Sequence, residues 1–239
     1  MQNKLKDLLS LIDLTSLNET DNTEIIAALC KKAVTPHGHV AAVCVYPQFV
    51  VQVKTALINY PVKIATVVNF PKGSDSSEHV IESIKQSIQH GATEMDVVFP
   101  YAQFLQGDKD SPYQLIRACK AACGETVLLK VILETGALSD TKTIAEVSYH
   151  VCHAGADFLK TSTGKIPAGA TIDAARAMLE VIQKIPRPIG LKISGGVRTI
   201  AIADQYIALA SEMMGADWVR PERFRIGASQ LVDQILNEI

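Results

Sequence analysis

No stretch of this sequence is apolar for long enough to span a bilayer. Lys4 and Lys6 lie near the start, but the apolar run around them is broken by Asp13 and no small-residue cleavage site follows, so no signal peptide is expected. A basic stripe is missing as well: 23 basic and 25 acidic side chains, a formal net charge of −2, are scattered along the chain. That distribution offers nothing to neutralise a nucleic-acid backbone or an anionic membrane, and a small molecule is the better default partner. Cys30, Cys44, Cys119, Cys123 and Cys152 are odd in number and sit in regularly patterned apolar segments, which make no disulfide framework. Reduced thiols place the chain in the cytoplasm. No Pro/Ser-rich linker or low-complexity segment divides the 239 residues, so residues 1–239 read as one domain. The assembly is left open by the sequence, a homodimer included.

What the sequence does contain is a repeat. Apolar runs rich in β-branched residues recur at 11–14, 41–46, 63–68, 94–99, 127–133, 157–161, 189–193 and 223–226, which predicts eight strands. Between them lie helical patterns: Ile81, Ile84 and Ile88 stripe 78–90, and Ile172, Ala175, Leu179 and Ile182 stripe 171–185. Ser111-Pro112 reads as an N-cap followed by a first-turn proline, opening a helix that runs to Gly124. Gly91-Ala92, Gly155-Ala156 and Gly215-Ala216 read as left-handed helix ends before the next strand. Every interval between strands exceeds the ~12 residues that a parallel crossover needs. Eight β-then-α units predict a (β/α)8 TIM barrel, with an open doubly wound sheet as the alternative.

Strands buried on both faces should be almost wholly apolar, yet these carry Asp13, Asp96, Lys130, Lys160 and Lys192 near their C-terminal ends, with Cys44 and Asn69 nearby. In a barrel those ends converge on one mouth. Alternation puts Lys130 on one face with Leu128 and Ile132, Lys160 with Phe158, and Lys192 with Gly190 and Ser194. A single strand lysine ordinarily anchors a carboxylate or reaches out from a strand end. Three at equivalent places predict a cationic cluster, and burial among like charges lowers the pKa of its members until one amine is neutral enough to attack a carbonyl. Cys44 alone reads more simply as core.

Three glycine-containing turns follow strands: Thr161-Ser162-Thr163-Gly164-Lys165, Ser194-Gly195-Gly196-Val197-Arg198 and Gly227-Ala228-Ser229. Glycine lets backbone N–H groups approach an anion, and the next helix N-terminus adds a favourable dipole. Together they predict a phosphorylated small molecule. A nucleotide P-loop is rejected, because that motif needs glycine where Leu159 stands and serine or threonine where Ile166 stands. No metal is expected: His150, Cys152 and His153 fall on an outer helix without a suitable third ligand, and His37, His39, His79 and His90 are expected to face solvent.

The segments Ile12-Asp13-Leu14-Thr15-Ser16-Leu17-Asn18, Ala42-Val43-Cys44-Val45-Tyr46-Pro47, Val67-Val68-Asn69-Phe70-Pro71, Met95-Asp96-Val97-Val98-Phe99-Pro100, Phe158-Leu159-Lys160-Thr161-Ser162-Thr163-Gly164, Ser194-Gly195-Gly196-Val197-Arg198-Thr199 and Arg225-Ile226-Gly227-Ala228-Ser229 closely resemble the 2-deoxyribose-5-phosphate aldolases. The resemblance covers nearly the whole chain. It implies reversible cleavage of 2-deoxy-D-ribose 5-phosphate to acetaldehyde and D-glyceraldehyde 3-phosphate, in deoxynucleoside breakdown, with no cofactor. It further implies that Lys160 forms the Schiff base, that Lys192 depresses its pKa, and that Asp96 moves protons through water. Gly164, Lys165, Gly195, Gly196, Gly227 and Ser229 match phosphate-pocket positions, and Asp13, Thr15, Cys44, Lys130 and Thr161 match other substrate-pocket positions. Two departures stand out. Some relatives end in a tyrosine thought to transfer protons, whereas the last tyrosine here is Tyr206, which leaves that step to Asp96, Lys192 and water; and Gln230 stands where relatives often have serine. A transaldolase-like Schiff-base barrel and a non-catalytic sugar-phosphate-binding barrel are the alternatives.

Overall fold

The structure, a computed structural model, describes residues 2–138 and 140–239. The eight apolar runs become β1 (Ile12–Thr15), β2 (Ala42–Val45), β3 (Lys63–Val68), β4 (Glu94–Val98), β5 (Leu128–Ile132), β6 (Phe158–Lys160), β7 (Gly190–Ser194) and β8 (Phe224–Ala228). Each pairs in parallel with the next, and β8 returns to β1 through Ile12↔Ile226 and Asp13↔Gly227. That closure excludes the open doubly wound sheet and makes the chain a TIM barrel.

Alternation decides which side chain goes where. Val43, Met95, Leu129, Leu159, Leu191 and Ile226 belong to the continuous apolar layer under the helices. Their neighbours in sequence turn inward, where Ala42, Cys44, Ala65 and Val67 form a small separate cluster with Leu17. The helices are set by their caps and stripes. Asn22, Ser76, Asp140, Thr171 and Thr199 each accept a hydrogen bond from a backbone N–H three residues on, worth about 1 kcal/mol per cap. The helix Ile172–Ile182 buries Ala175, Leu179 and Ile182 as the stripe predicts, whereas Ser77–His90 is centred on Val80 and Ile84, with Ile81 and Ile88 only half-buried.

Two local expectations are corrected. The cap of the helix Ser111–Cys123 is not Ser111: Asp108 Oδ1 accepts from the Ser111 and Asp110 amides, three and two residues on. A carboxylate three residues before the helix therefore does the work expected of the hydroxyl. Gly91 ends its helix in the left-handed conformation, but Gly215 has φ 90° and ψ 151° and leads into a 3-10 turn at Ala216–Trp218, because β8 begins only at Phe224. A short antiparallel hairpin of Val34–Thr35 with Gly38–His39 also lies outside the barrel. Two-residue strands carry too little alternation to stand out in sequence.

Candidate active site

The charged side chains enter the barrel mostly from the middle of their strands, with only Lys160 at a C-terminal end as expected, and the register sets Asp96 beside Lys130 and Lys192 between Lys160 and Arg225. Asp13, Asp96, Lys130 and Lys192 are completely buried, and Lys160 is 2% exposed. All three lysines meet one carboxylate. Lys160 Nζ and Lys192 Nζ both donate to Asp96 Oδ2 at 2.8 Å, and Lys130 Nζ donates to Oδ1 at 2.8 Å. Lys192 Nζ also lies 2.6 Å from Asp13 Oδ2, and Lys130 Nζ 2.6 Å from Glu94 Oε2. Lys160 alone of the three has no second carboxylate among its ion pairs.

That asymmetry separates the lysines electrostatically. Burial lowers the Lys160 ammonium pKa; Asp96 opposes the shift, Lys192 adds to it, and the result is a pKa below the ordinary lysine value. For Lys192, burial is outweighed by Asp13 and Asp96, and for Lys130 by Asp96, Glu94 and Asp13, so both stay above that value. Burial would raise the Asp96 carboxyl, but Lys130, Lys160 and Lys192 together hold it well below the usual carboxylate range. Desolvation therefore leads, with like-charge crowding second.

Above Lys160 opens a cleft of about 250 Å³ lined by Thr15, Lys160, Gly164, Lys165, Gly195, Gly196, Gly227 and Ser229. Gly195 and Gly196 have φ of 88° and 94°, which L side chains rarely adopt, and the helices Ile200–Met214 and Leu231–Glu238 start just beyond two of the turns. A Cβ on Gly227 would sit 3.2 Å from Lys192 Cε and 3.1 Å from Ser194 Cβ, so glycine leaves the lysine its room. Lys165 Nζ donates to the Leu17 carbonyl across the mouth.

Asp13, Cys44, Asp96, Lys130 and Lys192 lie beneath the cleft rather than in its wall. Thr161 is turned away: its hydroxyl donates to the Ser194 carbonyl and accepts from the Ser194 amide, joining β6 to β7. Gln230 is exposed, and its side chain does not cap the last helix. Several residues at the site have no role assigned from the sequence. Glu94 and Arg225 are in the barrel interior, two positions before Asp96 and Gly227, so the same alternation that selects the lysines would have selected them. Arg198 joins the cleft wall from a turn whose glycines were singled out. Glu134 is buried with φ 55°; it accepts from the Thr163 amide at 3.2 Å, and burial raises its carboxyl. Nothing in the local sequence marks it. Among the described residues, no group of three or more His, Cys, Asp or Glu is placed to hold a metal ion, and no helix is long and apolar enough to cross a membrane.

Comparison with known proteins gives this arrangement a family. A Coccidioides immitis protein whose proposed activity is deoxyribose-phosphate aldolase is 30% identical, with a TM-score of 0.85 over 96% of this chain and 86% of that one. The tetrameric deoxyribose phosphate aldolase of Aeropyrum pernix is 25% identical, with a TM-score of 0.79 over 98% and 93%. A Toxoplasma gondii protein with the same proposed activity, 24% identical, shares the fold at a TM-score of 0.90 over 99% and 94%. The model of the DeoC/LacD family aldolases matches residues 8–220, and with that match over most of its length the chain belongs to the DeoC/LacD family of aldolases.

Proposed function

We propose that this aldolase cleaves 2-deoxy-D-ribose 5-phosphate reversibly to acetaldehyde and D-glyceraldehyde 3-phosphate through a Schiff base on Lys160, in the cytoplasmic breakdown of deoxynucleosides. The observation that carries the reading is a single buried amine of lowered pKa at the floor of a cleft rimmed by glycine turns. A neutral Lys160 attacks the C1 aldehyde, and loss of water from the carbinolamine leaves an iminium. Removal of the C3 hydroxyl proton then breaks the C2–C3 bond. The electron pair moves into the iminium as an enamine, and glyceraldehyde 3-phosphate departs. Protonation of the enamine carbon and hydrolysis release acetaldehyde and restore the amine.

Asp96 suits the acceptor role better than the donor one, because three lysines hold it ionised. It takes the C3 proton through water, and Lys192, held charged, is placed to stabilise the anionic centre and relay protons. The turns after β6, β7 and β8 are suited to the phosphate: their glycine amides and two helix N-termini favour an anion, and Lys165 and Arg198 supply charge. Borohydride added with acetaldehyde is expected to fix a two-carbon adduct on the peptide containing Lys160. A label on Lys192 instead, or no label at all, overturns the assignment.

A further inference from the structure

The barrel interior below Lys160 is an alternating ladder of charges. Arg225 Nη1 lies 2.6 Å from Asp13 Oδ1, and Nη2 3.0 Å from Glu94 Oε1. Asp13 in turn holds Lys192 and Glu94 holds Lys130, and both lysines close on Asp96, the one carboxylate paired with Lys160. One guanidinium therefore feeds two carboxylates, two ammonium groups, one carboxylate and finally one amine. Every member below Lys160 is at least 96% buried, from five different strands. Four bases face three acids in this ladder, so with three of the bases charged it is neutral and the fourth is left without a counter-ion. Arg225 cannot be that one, because a guanidinium does not give up its proton in a protein. Lys130 pairs with three carboxylates and Lys192 with two, so Lys160 is.

We infer that Arg225 and Glu94 are positioning residues that set the charge on Lys160 from the far end of the barrel, an inference that rests on the Schiff-base reading above. Neither lines the cleft. They act by fixing how many protons the buried ladder holds: burying an unbalanced charge costs far more than moving a proton on or off the least paired amine. The groups that face Lys160 directly are Asp96, Lys192, Cys44 and Glu134. Cys44 is buried with a raised thiol pKa, and Glu134 is held by Thr163 rather than by an amine, so neither substitutes for a ladder carboxylate.

The arithmetic gives opposite signs for the two ends of one ion pair. Arg225→Met leaves two fixed cations against three carboxylates, and Lys160 takes a proton to compensate; its pKa rises. Glu94→Gln leaves three fixed cations against two carboxylates, and the Lys160 pKa falls. The double variant Arg225→Met/Glu94→Gln has two of each, which restores the original balance. The experiment is the pH dependence of acetaldehyde trapping by borohydride on Lys160, followed by mass spectrometry for all four proteins. The Arg225→Met midpoint is expected to move up by on the order of one pH unit, about tenfold in the neutral fraction on its acid side. Glu94→Gln should move it down, and the double variant should return it to that of the parent, as should Arg225→Lys. Midpoints that stay put while trapping falls at every pH, or singles that shift the same way, overturn the inference. If Arg225→Met does not fold, the downward shift in Glu94→Gln and its reversal in the double variant decide. Competitive acetylation of Lys160 by acetic anhydride reads the same titration with no aldehyde. A chain that shows the shifts by acetylation but traps nothing loses the Schiff-base reading and keeps this one.

Discussion

Leu159 and Lys160 are neighbours on β6, both buried, on opposite faces of the strand. Outward, Leu159 joins a continuous apolar layer in which every contact serves cohesion, roughly 2 kcal/mol for a side chain of its size. Inward, Lys160 joins a ladder of charges whose desolvation offsets much of its own Coulomb attraction. A barrel that needed only stability would fill its centre with apolar side chains, as the interior faces of β2 and β3 partly do with Ala42, Ala65 and Val67. The contrast teaches that the outer layer holds this fold together while the inner one is kept for chemistry. Substitutions that respect one face and violate the other should separate activity from stability.

The sharpest break is Lys160→Met, which keeps the side-chain length and removes the amine. It is expected to reduce kcat/KM by ~10⁴-fold or more while thermal unfolding moves little, since an apolar replacement for a buried charged group is often neutral or stabilising. A variant with substantial residual cleavage, or one that fails to fold, would erase the distinction between the two faces. Next in size is Lys192→Met, on the inner face of β7. It should cost ~10²–10³ in kcat/KM, as expected for loss of a proton-relaying group, and should also move the acid limb of the pH profile upward. The sign follows from Lys192 being one of the influences that lower the Lys160 pKa: without it the amine holds its proton to higher pH, and the reactive neutral form appears later. An acid limb that stays where it is would remove Lys192 from that role.

Leu159→Ala tests the other face. It should destabilise by roughly 2–5 kcal/mol in denaturant unfolding, through lost burial and a cavity, with kcat per folded molecule unchanged. If kcat fell in proportion to stability, the two layers would be coupled and the comparison would fail.

The same contrast explains what sequence could reveal. The outer layer repeats along every strand, so the barrel and all eight strands are legible from apolar runs alone, with ends off by at most two residues. Lys130, Lys160 and Lys192 are legible because a charge inside such a run violates the pattern. Glu94 and Arg225 sit at the first or second residue of their strands, where a charge looks like a strand end and draws no notice. Glu134 and Arg198 lie on loops, whose path is set by packing between elements and not by local periodicity. The Asp108 cap was missed for a similar reason, since Ser111-Pro112 offers a nearer candidate that satisfies the same rule.

The mildest expected effect lies at the rim, where neither layer reaches. Arg198 is exposed on the turn after β7 and lines the cleft beside Gly195 and Gly196, so its charge is screened and its share of the proposed phosphate binding should be modest. Arg198→Ala should raise KM for the phosphorylated aldehyde by roughly tenfold, with little change in kcat, because a contact made equally in ground and transition states affects binding alone. The control is the same condensation with unphosphorylated glyceraldehyde, for which the variant and parent should match. An equal loss on both substrates would move the phosphate away from this turn, and the rim would then have to be divided between the loops after β6 and β8.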